Sequence, residues 1–426
     1  MKSLDEIAQA LQGFDPQALS VDKAQEFTQH LVQALPPAGA EELPLMQALG
    51  RIVAEDIISP INVPAHDNSA MDGFAFDGKQ LGLAPLKLRV VGTALAGKAL
   101  QGNVKTGECV KIMTGAVMPT GLDTVIAQEL ATVHTSGDET IVEVPVGILQ
   151  AGDNRRKAGE DLQRGLPALR VGSTLSPAAL GLVASLGIAK VKVYRQLRVA
   201  YFSTGDEVLS LGDAMREGAV YDSNRFTVFG LLTRMGCQVV DMGVVRDDPV
   251  LLEQAFSAAS QNADVIITSG GVSVGEADFT KTMMKKLGDV AFWKIAMRPG
   301  RPMAVGRLGK CILFGLPGNP VAVMVTFLAF VKSALLHLMG GTPSTTPYLR
   351  AKSAVALRKK PGRTEYQRGF VRTLADGTLQ VEAAGNQGSG VLRSMVEANG
   401  LIVLHHHQSS VAAGDEVDVM MFEGVI

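Results

Sequence analysis

The stretch DVIITSGGVSVGEADFTK, residues 264–281, decides how this chain is read. Val265, Ile266 and Ile267 form a β-branched apolar run without polar alternation, the pattern of a parallel strand covered on both faces. Thr268, Ser269, Gly270, Gly271, Val272 and Ser273 follow as a loop of small and hydroxyl residues. Paired glycines tolerate positive φ and let backbone N–H groups converge on a small anion. Asp278 and Thr280 then precede a helical stretch, Thr280 to Leu287, whose positive end faces the same loop. Strand, glycine loop and helix start predict an oxyanion site at the carboxyl end of a parallel sheet. A plain βα turn also needs glycine; the hydroxyls and the carboxylates of Glu276 and Asp278 set this loop apart.

Working outward, the same strand-then-helix pattern repeats from Leu197. LRVAYFSTGDE reads as strand and loop, and Asp222-Ser223-Asn224 caps a helix running to Arg234. CQVVDMGVV is a second strand, and Arg246-Asp247-Asp248-Pro249 opens a second helix. VAFWKIAM and CILFGLPGNP complete the set, giving a three-layer α/β domain over residues 195–345. In a parallel sheet the loops after each strand share one rim. Glu207, Asp247 and Asp278 therefore converge, and carboxylates gathered beside an oxyanion call for a hard divalent cation such as Mg²⁺. Asp247 and Asp248 before Pro249 also read as a helix cap. Lys294, Arg298 and Arg301 lie on KIAMRPGRP, a rigid cationic loop suited to an oxyanion. Pro317-Gly318-Asn319-Pro320 either aims N–H groups at an anion or simply turns the chain.

On either side the pattern changes. LPLMQALGRIVAEDI (residues 43–57) reads as helical, as does SPAALGLVASLGI (176–188). Residues 1–59 and 151–194 are therefore expected to form a helical, discontinuous linker or dimerisation domain. Short β-like runs such as LKLRVVGTAL and TIVEVP predict a β-rich subdomain over 60–150, and residues 346–426 predict a C-terminal β-barrel. His405, His406 and His407 alternate faces in a strand and do not converge on one metal.

With 426 residues, about three domains are expected. A net charge of −2 argues against a general nucleic-acid-binding surface. Cys109, Cys237 and Cys311 are scattered in apolar contexts without a CxxC pair, so buried thiols are expected rather than a metal–thiolate site. The polar N-terminal segment does not resemble a signal peptide. The most apolar run, Val321 to Val331, is shorter than the roughly 20 residues of a membrane span. No membrane association and a cytoplasmic location are expected.

DNSAMDGFA, KIMTGAVMP, STGDE, YDSNR, SGGVSVGEADFT, FWKIAMRPGRP and LPGNP occur in this order. Together they resemble the MoeA family of molybdopterin molybdenumtransferases, relatives of the gephyrin E domain, over residues 25–426. The resemblance implies an elongated homodimer with four subdomains, one of them a molybdopterin-binding α/β unit. It implies insertion of molybdate into adenylylated molybdopterin with Mg²⁺, yielding molybdenum cofactor and AMP. Functional positions of the family fall on Asp67, Thr114, Glu207, Asp247, Asp278, Lys294, Arg298, Pro317, Pro320, Arg368 and Ser389. Ser269, Gly270, Gly271 and Ser273 join them as substrate-binding candidates, and Glu207, Asp247 and Asp278 as metal ligands. Arg298 and Arg301 stand where the family also uses lysine, which keeps charge but not donor geometry. A molybdopterin-adenylylating protein and molybdoenzyme apoproteins are the implied partners. The alternatives are adenylylation of molybdopterin by the same α/β unit, which would not need the flanking domains, and a gephyrin-like scaffold.

Overall fold

The structure is a computed structural model that describes residues 3–11, 14–272, 279–342 and 347–422. Its centre is a six-stranded sheet built from β1 (Arg198–Thr204), β2 (Gln238–Val245), β3 (Val265–Ser269), β4 (Asp289–Lys294), β5 (Pro302–Leu308) and β6 (Cys311–Leu316), in the order β2-β1-β3-β6-β5-β4. Strands β2, β1, β3 and β6 are mutually parallel, whereas β5 runs antiparallel to both neighbours. The sheet is thus mixed rather than all-parallel: Leu308 and Cys311 are joined by a tight turn, so β5 and β6 form a hairpin.

Every residue of β3 is buried, as its unbroken apolar run requires. Helices α1 (Ser223–Arg234), α2 (Pro249–Asn262), α3 (Phe279–Leu287) and α4 (Pro320–Leu338) cover the two faces. Val199, Tyr201, Val265, Ile267 and Phe314 pack with Val228, Leu232 and the apolar residues of α4 on one side. Ala200, Phe202, Ile266 and Leu313 pack with Leu252, Phe256 and Met284 on the other. The alternation follows from the two-residue period of a strand. Asp222 accepts from the Arg225 N–H and Asp248 from the Val250 and Leu251 N–H groups, so both expected caps start their helices.

α4 is longer than the 321–331 run suggests. It spans 19 residues with a π-turn at Phe327–Val331, and by length and composition alone it is apolar enough to cross a membrane. It is 72% buried within the molecule, as a core helix of the sheet's covering layer.

The segments before and after residues 60–150 meet, but chiefly through strands. Ala40–Pro44 pairs antiparallel with Lys190–Tyr194, and Ile57–Ile58 with Pro167–Leu169. The helix expected over 43–57 is absent: the stretch is a strand end, a 3₁₀ turn at Leu45–Gln47 and a short strand. Pro44 and Gly50 interrupt it, and pairing with 190–194 satisfies its backbone instead. The helices Leu4–Ala10 and Val21–Gln33 pack in the α/β core, beside Trp293 and α4. The helix Pro177–Ser185 packs in a separate core with Ala48, Val53 and Ile57.

A second six-stranded sheet fills residues 73–144. Near the C-terminus five strands close into a barrel: Thr364–Thr373 pairs with both Leu379–Ala383 and Gly400–Leu404, and Leu349–Ser353 and Glu416–Met421 complete the ring. The Met297–Arg298 pair runs alongside Thr364–Glu365, so the arginine loop is fixed between sheet and barrel. On the barrel, His405 Nε2 lies 2.6 Å from the Asp418 carboxylate, and no cluster of three metal-ligating side chains occurs among the described residues.

Candidate functional site

The rim loops of the α/β sheet surround a cavity of about 960 Å³. Its floor is the carboxyl ends of β1 and β3, at Ser203, Thr204 and Ser269. Ser203 and Ser269 are register partners on adjacent strands, 3.2 Å apart through their hydroxyls. Gly270 and Gly271 follow with φ of 89° and 61°. A Cβ on Gly270 would collide with the Thr204 carbonyl and one on Gly271 with the Thr280 side chain, so only glycine lets this loop lie against its neighbours.

One wall is cationic. Arg298 and Arg301 line the cavity beside Pro299, Gly300 and Pro302, and neither side chain is engaged by a carboxylate among the described residues. The barrel contributes Gln387, Gly388, Ser389 and Gly390, and the turn before α4 contributes Pro317, Gly318, Asn319 and Pro320. Asn224, in the first turn of α1, ties this wall to the floor: its Nδ2 donates to the Gly318 carbonyl at 2.7 Å and to Ser269 Oγ at 3.4 Å.

The other wall is acidic. Glu207 lines it, exposed, with its carboxylate folded over Gly205; both Glu207 oxygens would lie 2.6–2.7 Å from a Cβ at that position. Asp222 lies in the same wall at 4% exposure: its Oδ1 caps α1, while its Oδ2 is buried without a partner among the described residues. Thr204 Oγ1 and Asn224 Oδ1 are buried and, among the described residues, likewise unpartnered. Asp247 does not line the cavity. Its N–H donates to the Asp206 carboxylate at 3.3 Å, so the loop after β2 abuts the loop carrying Glu207.

Of the residues expected at the site, Glu207, Ser269, Gly270, Gly271, Arg298, Pro317, Pro320 and Ser389 line this one cavity. Ser273 and Asp278 lie outside the described residues. Lys294 ends β4 at the sheet edge, where its backbone bonds to Pro16 and Leu19, and it is not part of the cavity wall. Arg368 stands behind the wall, 1% exposed. Its Nε donates to Ser394 Oγ at 3.0 Å and its Nη2 to the carbonyls of Asn386 and Gly388 at 3.1 and 3.0 Å, so it shapes the loop that presents Ser389. That placement has a physical cause: a guanidinium fork can satisfy several carbonyls of one tight loop at once.

Asp67 and Thr114 belong to another region. Asp67 borders a second cavity of about 350 Å³ with Asp77, Lys79, Asp123 and Arg155, and the two cavities share no residue. Thr114 is held by Asp72, whose Oδ1 accepts from both the Thr114 N–H at 2.6 Å and its hydroxyl at 2.7 Å. These two bonds lower the Asp72 pKa. Asp222, Asn224, Gln387 and Asn319 are not among the individual site candidates that the sequence offers; the first two lie in the YDSNR motif, whose DSN run reads as a helix cap, and Asn319 lies in the PGNP turn. The three cysteines are buried, and burial pushes the Cys109 and Cys237 thiols up to about 12, so they supply no thiolate.

Comparison with known proteins accounts for nearly the whole chain. The family model described as "MoeA N-terminal region (domain I and II)" matches residues 19–187, "Probable molybdopterin binding domain" matches 200–337, and "MoeA C-terminal region (domain IV)" matches 350–422. A molybdopterin molybdenumtransferase of Haemophilus influenzae is 43% identical over 410 residues, covering 96% of this chain and 100% of the relative. The chain belongs to the MoeA family. A second such relative, from Nostoc, is 34% identical over 390 residues, covering 89% of this chain and 88% of the relative. MoeA-family proteins are transferases of molybdenum cofactor biosynthesis, and this chain shares their architecture. Two crystal structures of molybdopterin biosynthesis MoeA protein from Pyrococcus horikoshii superpose with TM-scores of 0.73 and 0.79, at 30% and 26% identity. Each covers 95% of this chain, with 99% and 100% of its own length.

Proposed function

We propose that this MoeA-family protein inserts molybdate into adenylylated molybdopterin in the 960 Å³ cavity, with Mg²⁺, and releases AMP. One observation carries the reading: two guanidiniums that no carboxylate engages among the described residues, Arg298 and Arg301, share a cavity with the Gly270–Gly271 loop and Ser389. Such a wall binds a tetrahedral dianion and the phosphates of a nucleotide-like substrate through charge-assisted hydrogen bonds. Ser269 and Ser389 add neutral donors, Asn224 ties Ser269 to the Gly318 turn, and Arg368 holds the Ser389 loop in place. Pro317 and Pro320 stiffen the turn that faces them.

The acidic wall fits a hard cation. Its oxygens come from Glu207 and from Asp222 Oδ2 and Thr204 Oγ1, which have no partner among the described residues; the Asp247 loop abuts this wall through its N–H. That all-oxygen set suits Mg²⁺ and disfavours softer metals. Glu207 lines the cavity and would hold the ion, which when bound would neutralise the charge of the phosphoanhydride; Asp247, outside the cavity wall, and Asp278, outside the described residues, join it on the family resemblance alone. The dithiolene sulfurs that receive molybdenum are the substrate's own.

Asp67 and Thr114 reach the reaction only if a second copy brings its 62–158 region over the α/β rim, so we place the protein in a homodimer with sites shared between subunits. A molybdopterin-adenylylating protein upstream and molybdoenzyme apoproteins downstream, in the cytoplasm, complete the reading. The test is cofactor assembly from purified protein, adenylylated molybdopterin, molybdate and Mg²⁺, followed by AMP release and by activation of an apo-molybdoenzyme. AMP release that does not require molybdate, or its absence, defeats the proposal.

A further inference from the structure

Beneath the cavity floor lies a hydroxyl that neither the sequence reading nor the proposed reaction uses. Tyr201, in the middle of β1, is 1% exposed and points along the same sheet face as Ser203 and Ser269. Its hydroxyl lies 2.7 Å from Ser269 Oγ and 2.9 Å from Ser203 Oγ. Apolar neighbours surround the ring, so a phenylalanine would suit the core equally well. Burying a hydroxyl costs free energy unless it is bonded, and here both partners are residues of the cavity floor.

Counting hydrogens orders this cluster. Three hydroxyls in a triangle cannot make three near-linear bonds, and the two short edges both meet at Tyr201, the serine pair being the long edge at 3.2 Å. Tyr201 has one hydrogen, so it donates along one edge and accepts along the other. A phenol is a stronger donor than an alkyl hydroxyl, which assigns its hydrogen to the shorter edge, toward Ser269. Asn224 Nδ2 also approaches Ser269 Oγ as a donor, at 3.4 Å. With Tyr201 and, more weakly, Asn224 donating to Ser269, its own hydrogen can point into the cavity, its other acceptor being Ser203 Oγ along the long 3.2 Å edge. Burial raises the Tyr201 pKa, so the phenol keeps its proton throughout the working range.

We propose that Tyr201 is a positioning residue that sets the Ser269 hydroxyl as a donor toward an anionic oxygen of the bound substrate. The inference rests on the proposed function for the identity of that substrate, adenylylated molybdopterin, and names its phosphate oxygens as the acceptors. Without the phenol, Ser269 loses the 2.7 Å bond that orients it and Ser203 loses its acceptor, so the two serines bond to each other and the Ser269 hydrogen is no longer directed at the ligand.

The test is a double-mutant cycle on binding of adenylylated molybdopterin, read by calorimetry, with thermal melting of each variant. Loss of one such hydrogen bond should weaken binding by Tyr201→Phe about three- to tenfold, with kcat at saturating substrate unchanged. In a Ser269→Ala background, itself weakened, Tyr201→Phe should have no further effect on binding. An equal loss in both backgrounds would mean that Tyr201 only supports the fold, and undiminished binding by Tyr201→Phe would overturn the proposal outright. Undiminished binding by Ser269→Ala would overturn it however Tyr201→Phe folds. Wild-type protein that fails to bind adenylylated molybdopterin sinks the functional reading instead; wild-type binding matched by every variant sinks this inference alone.

Discussion

Arg298 and Arg368 stand as neighbouring guanidinium charges, one on the cavity wall and one behind it, and Arg368 bonds only to neutral oxygens. Burial, and then the charge of Arg298, lower the Arg368 pKa. Two cations held together in this way leave an electrostatic deficit that an oxyanion in the cavity relieves.

Arg298→Ala should therefore raise the half-saturating molybdate concentration about ten- to a hundredfold, the range for a lost charge-assisted hydrogen bond. Because Arg298 is exposed, thermal stability should barely change. A molybdate titration of AMP release measures this, and an unshifted titration removes Arg298 from the oxyanion site.

Arg368→Ala should behave differently. Its loss leaves the Asn386 carbonyl without its Arg368 donor and takes one bond each from the Gly388 carbonyl and the Ser394 hydroxyl, which keep their bonds to Val391, so a destabilisation of about 1–3 kcal/mol is expected in urea unfolding. Weaker molybdate dependence should accompany it, because Ser389 loses its support. Full stability in Arg368→Ala would contradict the strut role.

Glu207→Ala should leave stability within about 0.5 kcal/mol, as an exposed rim residue, yet raise the Mg²⁺ concentration needed for AMP release. Equal Mg²⁺ titrations for variant and wild type would remove Glu207 from the metal.

Mixed dimers test the shared site. Asp67→Ala and Glu207→Ala homodimers should each be nearly inactive. After random subunit exchange half the dimers are mixed and each mixed dimer holds one intact site, so about a quarter of wild-type activity should return. If mass spectrometry confirms exchange and activity stays absent, the two residues do not meet across a dimer.

Acid sensitivity should centre on Asp264. Burial pushes its carboxyl up, but the two Arg195 bonds at 2.7 and 2.8 Å, the Arg198 N–H and both guanidinium charges outweigh it, and the net shift is downward. A folded pKa below the unfolded value of about 3.9 contributes stability that is complete above that pH and lost as pH falls through the lowered value. Asp264→Asn should thus be less stable than wild type at neutral pH, and the gap should close in strong acid. A gap that persists unchanged at pH 2 would assign the loss to packing.

The sequence by itself determined what is local. The unbroken apolar run at 265–267 dictated a buried strand, Asp222 and Asp248 dictated helix starts, and paired glycines dictated a tight loop against Thr204 and Thr280. The order of motifs carried the family and the rim residues Glu207, Arg298 and Ser389 with it. Tertiary structure decided the rest, because the deciding contacts join residues far apart in the chain. The 43–57 stretch has helical spacing but surrenders it to pairing with 190–194. Arg368 carries the charge of a ligand-binding residue, yet the fold closes the barrel loop around it and spends its donors there. Tyr201 lies in an apolar strand run and Asn224 in the YDSNR motif, and neither pattern tells what their polar atoms meet. Only the register of β1 against β3, and the turn at Gly318 laid over α1, bring their polar atoms to the floor of the cavity.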